Sequence, residues 1–367
     1  MKSNYRYIVK AFMAMAVIAG TTSCDDFLDR EPMSSISPET YYSTAAQLEA
    51  NLNDEYPNVL PSFGQWTYGI FGEDKGTDNQ IEVNANDRYT QDRWKVPHSE
   101  SDNWKFERIY RINFFLSEAL PKFGEDMIGS QNTISGSVAT IKHYIGEMYF
   151  LRAYEYFKKL QLFGDFPIIN QPLADEMEAL REASKRFPRN EVARFIISDL
   201  DKAYAYMSDV DMATTRINKD AAMLVKSRVA LFEATWLQNF KGTAFVPGGE
   251  GWPGASLHNN YQYPSGNIDN EVKYFLEQAV EASKLVADKY KGSLTENTGV
   301  LQQSADDPSN PYFDMFAQED LSDVKEVLLW RQYARGLSTH NINAAAGRGN
   351  YRIGLTRGFV QNFLMKD

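Results

Sequence analysis

Between Val138 and Phe163 the apolar residues Ile145, Tyr149, Ala153, Tyr156, Leu160 and Phe163 recur at intervals of four, four, three, four and three. That period, about 3.6 residues, puts them on one stripe of a single long helix, and Gly164 supplies its stop. Such a helix is stable only when its stripe is covered, so the rest of the chain decides what covers it. The period returns in five further segments. The first runs from about Pro38 to Tyr56, with Ser37 as N-cap and Pro38 at the first helical position. Asn103 to Leu120 follows, and then Pro188 to Met207, which carries Val192, Ile196, Leu200 and Ala203 on one side. Asn218 to Asn239 aligns Ala222, Val225, Val229, Phe232 and Trp236. Asp269 to Tyr290 aligns Val272, Leu276, Ala279 and Val286 and stops at Gly292. Helices in turn-linked pairs, each with an apolar stripe, predict a mainly α fold: a tetratricopeptide-like helix-pair array that buries a continuous core. The strict repeat consensus is absent, and a plain helical bundle satisfies the same periodicity. With 367 residues, 43% of them hydrophobic, the chain can build such a core.

Two segments interrupt the pattern. Asn58 to Ser101 is rich in Gly, Asn and Asp, and Phe240 to Asn267 is rich in Gly, Pro and aromatic residues. Both are longer than a connector requires, which marks them as places to look for function. After Leu294 the chain turns irregular, apart from one β-like run, Glu326 to Tyr333 (EVLLWRQY). The organisation read from this is a signal peptide over 1–23 and a lipidated tether over 24–37. A helical domain over 38–293 carries loop insertions at 58–101 and 240–267, and a less regular region fills 294–367.

The amino-terminal readings rest on Lys2, Arg6 and Lys10 ahead of Ala11 to Gly20, an apolar run too short to span a bilayer. Thr21-Thr22-Ser23 then precedes Cys24, the only cysteine in the chain and therefore without an internal disulfide partner. This is a lipobox pattern, with Thr21 in place of the usual Leu. Acyl chains on Cys24, at ~0.8 kcal/mol per buried methylene, would anchor the protein to membrane lipid. An ordinary signal peptide followed by a free thiol is the plainer alternative. Asp25, Asp26 and Asp29 resemble a surface-export tag, or equally a solvated tether.

Charge and motif content narrow the chemistry. A net charge of −11 without a basic run argues against nucleic acid as a partner. His98, His143, His258 and His340 are scattered, and neither H-E-x-x-H nor G-x-S-x-G occurs. Gly249-Glu-Gly251-Trp-Pro-Gly254 matches a dinucleotide fingerprint only formally, because it follows a helix and Pro253 lacks a donor. Glu73 to Asp87 offers oxygen ligands for calcium without the spacing of a calcium loop, so no cofactor is assigned. Paired carboxylates for glycoside hydrolysis stay open among 49 acids, but nothing singles out a pair. The expectation is a protein that binds and does not catalyse.

Sugar recognition stacks flat aromatic faces on pyranose rings and fixes hydroxyls with amides, carboxylates and Arg forks. Trp66, Tyr68, Trp94 and Trp252 lie on irregular segments and are the candidate stacking residues; Asp74, Asp78, Asn79 and Arg93 are their candidate polar partners. Trp104, Trp236 and Trp330 read as core. Arg152, Arg228 and Asp165 read as a structural ion-pair and capping network.

Seven stretches taken together resemble the SusD/RagB family of nutrient-binding outer-membrane lipoproteins. They are CDDFLD from Cys24, SPETYY from Ser37, MYFLRAYEYFKKLQLFGDFPII from Met148, ISDLDKA from Ile197, NKDAAMLVKSRVALFEATW from Asn218, NPYFDMF from Asn310 and LTRGFVQNFLMKD from Leu355. The resemblance implies a SusD-like fold whose irregular loops pack on one side as the ligand surface. It also implies an oligosaccharide ligand, a lipid-anchored location on the outer membrane facing the exterior, and a SusC-like TonB-dependent transporter beneath, over which the protein sits as a lid. Members continue past the MKD element, so residues 294–367 are read as the start of a C-terminal region that is truncated here. An oligopeptide in the same transport role, or a protein scaffold without a ligand, are the alternatives.

Overall fold

A computed structural model of the chain describes residues 41–61, 74, 76–82, 103–124, 126–208, 212–300, 304, 306–334 and 353–362. Its helices are α1 (Ala45–Val59), α2 (Glu107–Phe123), α3 (Val138–Phe163), α4 (Met177–Ala183), α5 (Arg189–Tyr206), α6 (Lys219–Asn239), α7 (Ile268–Tyr290), α8 (Pro311–Met315) and α9 (Arg357–Gln361). Strands β1 (Gln80–Glu82) and β2 (Ile353–Leu355) pair antiparallel, Ile81 opposite Gly354. The described fold is thus mainly α, as the periodicity predicts.

Helix α3 is the axis. From Ile141 to Leu160 only Lys142, Tyr154 and Lys158 escape full burial. Helices α1 and α2 pack on one flank of α3 and α5 on the other, and the stack continues as α5 on α6 and α6 on α7. One core links them, from Leu48 and Leu52 of α1 through Phe115, Tyr156 and Ile196 to Phe275 of α7. Ends are set locally. Ser137, Asn218 and Asn267 cap α3, α6 and α7 through side-chain oxygens that accept from Thr140, Ala221 and Asn270 N–H.

Two expectations are corrected. The helix expected from Pro38 to Tyr56 is α1, which opens at Thr44 in a reciprocal capping box with Gln47; Ser37 and Pro38 lie outside the described residues. Glu326 to Tyr333 is not a strand. Its Leu328 and Leu329 pack against the helical core, and Trp330 N–H donates to Thr214 C=O at 3.1 Å. The run carries strand-forming residues but has no strand beside it among the described residues to complete a ladder.

Close approach of α3 and α5 depends on Gly146. A Cβ there would lie 2.8 Å from Met207 N and 2.9 Å from Ala203 C=O, and neither backbone atom can rotate away. Alanine favours an isolated helix by about 1 kcal/mol over glycine, but the overpacking is expected to win. Gly146→Ala should lose about 1–3 kcal/mol, read as a lower urea midpoint with an unchanged m-value.

Candidate functional site

Four ion pairs with buried carboxylates hold the helices in register and thereby position the irregular segments. Arg152 grips Asp199 through two hydrogen bonds of 2.6 and 2.8 Å and donates to Asn113 Oδ1 at 2.8 Å and to Asn170 C=O at 3.1 Å. Asn113 Nδ2 in turn donates to Ile169 C=O, and Tyr156 OH exchanges hydrogen bonds with the same residue's backbone. The connector after α3 is therefore fixed by side chains from α2 and α3, with Asp199 of α5 holding Arg152 in place. Arg216 pairs with Glu147, whose Oε2 also accepts from Tyr56 OH at 2.7 Å. Arg189 pairs with Glu233 of α6 and Arg194 with Glu271 of α7. Burial pushes the Glu233 carboxyl up, against the opposing pull of Arg189. Burial would raise Glu271 as well, but hydrogen bonds from Arg194, Asn190 and Ser265 and the Arg194 charge hold it below its ordinary value.

Through these pairs the 240–267 excursion is seated on the amino end of α5. Asp165, just past Gly164, accepts from Arg189 N–H at 2.8 Å and from Trp252 Nε1–H at 2.7 Å. Burial raises the Asp165 carboxyl despite both bonds. Trp252 stacks on His258 with centroids 5.9 Å apart, and Asn190 Nδ2 donates to Tyr261 OH at 2.9 Å. The glycines here serve the turn: a Cβ on Gly249 would sit 1.9 Å from Thr243 C=O, and one on Gly254 would strike the Trp252 ring at 2.3 Å.

The structure sorts the predicted site residues unevenly. Trp252 is 5% exposed with its N–H already bonded, so it is a packing residue and not part of an open surface, which corrects its assignment to ligand contact. The period-based reading missed this because an aromatic in a Gly-Pro turn shows no stripe. Asp74, Asp78 and Asn79 share the turn before β1; both acids are exposed and Asn79 is half-buried. Thr356, the cap of α9, donates its N–H to Asn79 C=O at 2.9 Å and its hydroxyl to Asp78 C=O, so the far end of the described chain closes on this turn. Cys24, Trp66, Tyr68, Arg93 and Trp94 lie outside the described residues. Arg152 and Asp165 are structural, as expected; Arg228 is exposed on α6 and joins neither network. Trp104 packs against Phe163 and Phe166, and Trp236 and Trp330 are likewise partly buried against the core or its flank.

Two surface recesses among the described residues are of a size to hold a small ligand. One, about 370 Å³, lies between α5 and α7 and includes Arg194, Asp201, Lys202 and Tyr274. Its charges are spoken for: Arg194 by Glu271, Asp201 by Lys226, Lys202 by Asp199. The other, about 400 Å³, is built by the chain after α7 and by α8, with Thr295, Asp314, Met315, Gln318, Asp323 and Lys325 in its wall. Asn310 caps α8 and ties it back through Nδ2 to Asn297 Oδ1 and Val300 C=O, each at 3.0 Å. Tyr312, Phe313 and Phe316, on or directly after α8 and outside the lining of this recess, are 41%, 46% and 73% exposed, the first and last in an edge-to-face pair 5.2 Å apart. In the sequence this surface shows only as NPYFDMF, three aromatics without a helical stripe behind an Asn-Pro opening.

Residues 26–231 match a SusD-like family model described as "Starch-binding associating with outer membrane", and the chain belongs to that family. SusD-like protein P25 of Formosa agariphila is 26% identical over 233 residues, covering 58% of this chain and 41% of that protein. SusD-like protein P2 of the same organism is 25% identical over 253 residues, covering 66% and 46%. The chain thus spans less than half the length of these relatives. Among solved structures, a SusD-like protein from Bacteroides fragilis NCTC 9343 is 22% identical, covers 58% of this chain and 40% of its own, and superposes with a TM-score of 0.40.

Proposed function

We propose that this chain is a surface-exposed, glycan-binding lipoprotein, anchored through Cys24 in the outer membrane, which captures an oligosaccharide nutrient and serves as the lid of a SusC-like TonB-dependent transporter. The observation that carries the reading is the family match over residues 26–231, whose description joins starch binding to the outer membrane. Geometry supports it, since the helices are consumed by mutual packing and leave recognition to the irregular segments. No helix among the described residues is long and apolar enough to cross a membrane, so attachment in this reading rests on the acylated cysteine. Binding alone, without bond cleavage, is the task assigned.

Titration calorimetry of the chain against neutral and acidic glycan oligomers and an oligopeptide mixture tests the reading. Heat with at least one glycan, and none with peptides, is expected. Peptide binding with no glycan binding would replace the ligand class and keep the transport role. Silence with both would leave a scaffold for the transporter.

A further inference from the structure

We propose that the seat of the 240–267 excursion is a proton-operated latch: Asp165, covered by Trp252 and left without a cation of its own, takes up a proton in mild acid, and the excursion then closes more tightly on the amino end of α5. The latch acts on the segment itself and does not depend on what the protein binds. Its basis is the number and placing of the charges beneath the excursion. Arg189 stands beside two carboxylates at once. Its guanidinium grips Glu233 of α6 at 2.9 to 3.2 Å, and only its backbone N–H, at 2.8 Å, reaches Asp165. The other Asp165 oxygen accepts from the Trp252 indole at 2.7 Å, which is a neutral donor. Arg194, one turn further along α5, is committed to Glu271 at 2.7 and 2.9 Å. Three carboxylates thus share two guanidiniums, and Asp165 forms no ion pair among the described residues.

The remaining charged and titratable groups around the seat leave that surplus in place. Glu191 of α5 adds another carboxylate beside the Tyr261 hydroxyl, and burial pushes the hydroxyls of Tyr261 and Tyr263 up, so both stay neutral. Lys241 of the excursion pairs with Asp269 at 2.6 and 2.7 Å. Arg186 turns its guanidinium to the Trp104 ring, 4.6 Å from the centroid. His258, the other group here able to gain a proton, stacks on Trp252 and directs Nε2 to Arg186 C=O at 2.8 Å.

Closing the excursion brings the buried Trp252 against Asp165 and strips water from a carboxylate. Desolvating a charge without a full partner costs free energy, and the cost vanishes when the group is neutral. Burial accordingly holds the seated carboxyl above its ordinary 3.8, against the downward pull of the indole, the backbone N–H and the Arg189 charge. An opened excursion returns Asp165 to water and to that ordinary value. As pH falls from neutral, the seated form binds a proton before the open form does, so seating is strengthened; below about pH 4 both forms are protonated and the gain is complete. Protonating Glu233, whose carboxyl is raised as well, would weaken its grip on Arg189, so Asp165 is the better place for the proton. Glu271, which accepts from Ser265 N–H of the excursion at 3.2 Å, is held low and keeps its grip through this window.

The test is amide hydrogen exchange of the full chain, read by mass spectrometry at about pH 7.5 and about pH 5 and corrected for the intrinsic rate at each pH. Peptides from 240–267 are compared with peptides from α2, on the other flank of α3, so that changes in global stability cancel. Protection of the excursion relative to α2 should rise about threefold to tenfold on acidification. Asp165→Asn cannot ionise and should show no rise; its protection should be lower throughout, because the amide offers one acceptor oxygen where the carboxylate offers two. His258→Gln should keep the rise. A wild-type excursion that is equally or less protected at about pH 5 overturns the latch, and so does a rise that survives in Asp165→Asn. Loss of the rise in His258→Gln would move the proton to His258 and overturn the part given to Asp165. Wild type and His258→Gln decide the matter even if Asp165→Asn does not fold.

Discussion

Replacing Arg152 by Ala is expected to destabilise the chain by about 3–5 kcal/mol, the range for removing one member of a buried ion pair. Asp199 would remain buried on α5 with its strongest partner gone; Lys202 stands 3.7 Å away but is 45% exposed and has solvent competing for it. Two further groups lose a donor at the same stroke, Asn113 Oδ1 and Asn170 C=O. Removing both charges should cost less than removing one. Arg152→Met/Asp199→Leu deletes the desolvation penalty along with the attraction, so the double variant should recover much of the single variant's loss. Urea unfolding of Arg152→Met, Asp199→Leu and the double closes the cycle. An additive double variant would show that the pair contributes no coupling and that packing alone explains the single losses.

The second large effect falls on Trp252. Its Ala variant should lose about 3–5 kcal/mol from cavity formation, and Asp165 Oδ2 would lose its only side-chain donor. Trp252→Phe separates the two contributions, since it keeps most of the buried ring and removes only the N–H. That variant should cost about 1–3 kcal/mol for the unsatisfied carboxylate oxygen. Because Asp165 joins the excursion to the amino end of α5 through Trp252 and Arg189 N–H, the Ala variant should also open residues 240–267 to protease before the helices unfold. Equal cleavage of wild type and variant there would mean that Tyr261, Tyr263 and Trp236 seat the excursion without Trp252.

Helices α2, α3, α5, α6 and α7 were legible to within a few residues because an amphipathic helix writes its period into consecutive positions. Side-chain caps at Ser137, Asn218 and Asn267 are equally local. Local signals also compete. Ser37-Pro38 and Thr44 with Gln47 are both sound helix openings, and packing of Leu48 and Leu52 accompanies the second. Glu326 to Tyr333 is rich in apolar and strand-forming residues, but a strand exists only beside another strand, and Leu328 and Leu329 pack on the helical core instead. The candidate site was less legible still. Trp252 and Phe316 both sit in irregular chain, yet one is buried and the other 73% exposed.

The period of the apolar residues was enough to establish an α-helical array and to locate its long helices, since each helix face is a property of residues four positions apart. It could not show that α3 is enclosed on all sides, because the stripe from Ile145 to Leu160 looks the same whether Glu147, Arg152 and Lys159 face water or other helices. That depended on residues distant in sequence: Arg216, Asp199 and Asn103 supply the partners that let those charges be buried. Trp330 is placed the same way, by Thr214 in the turn between α5 and α6, which holds its indole N–H across more than a hundred residues of chain.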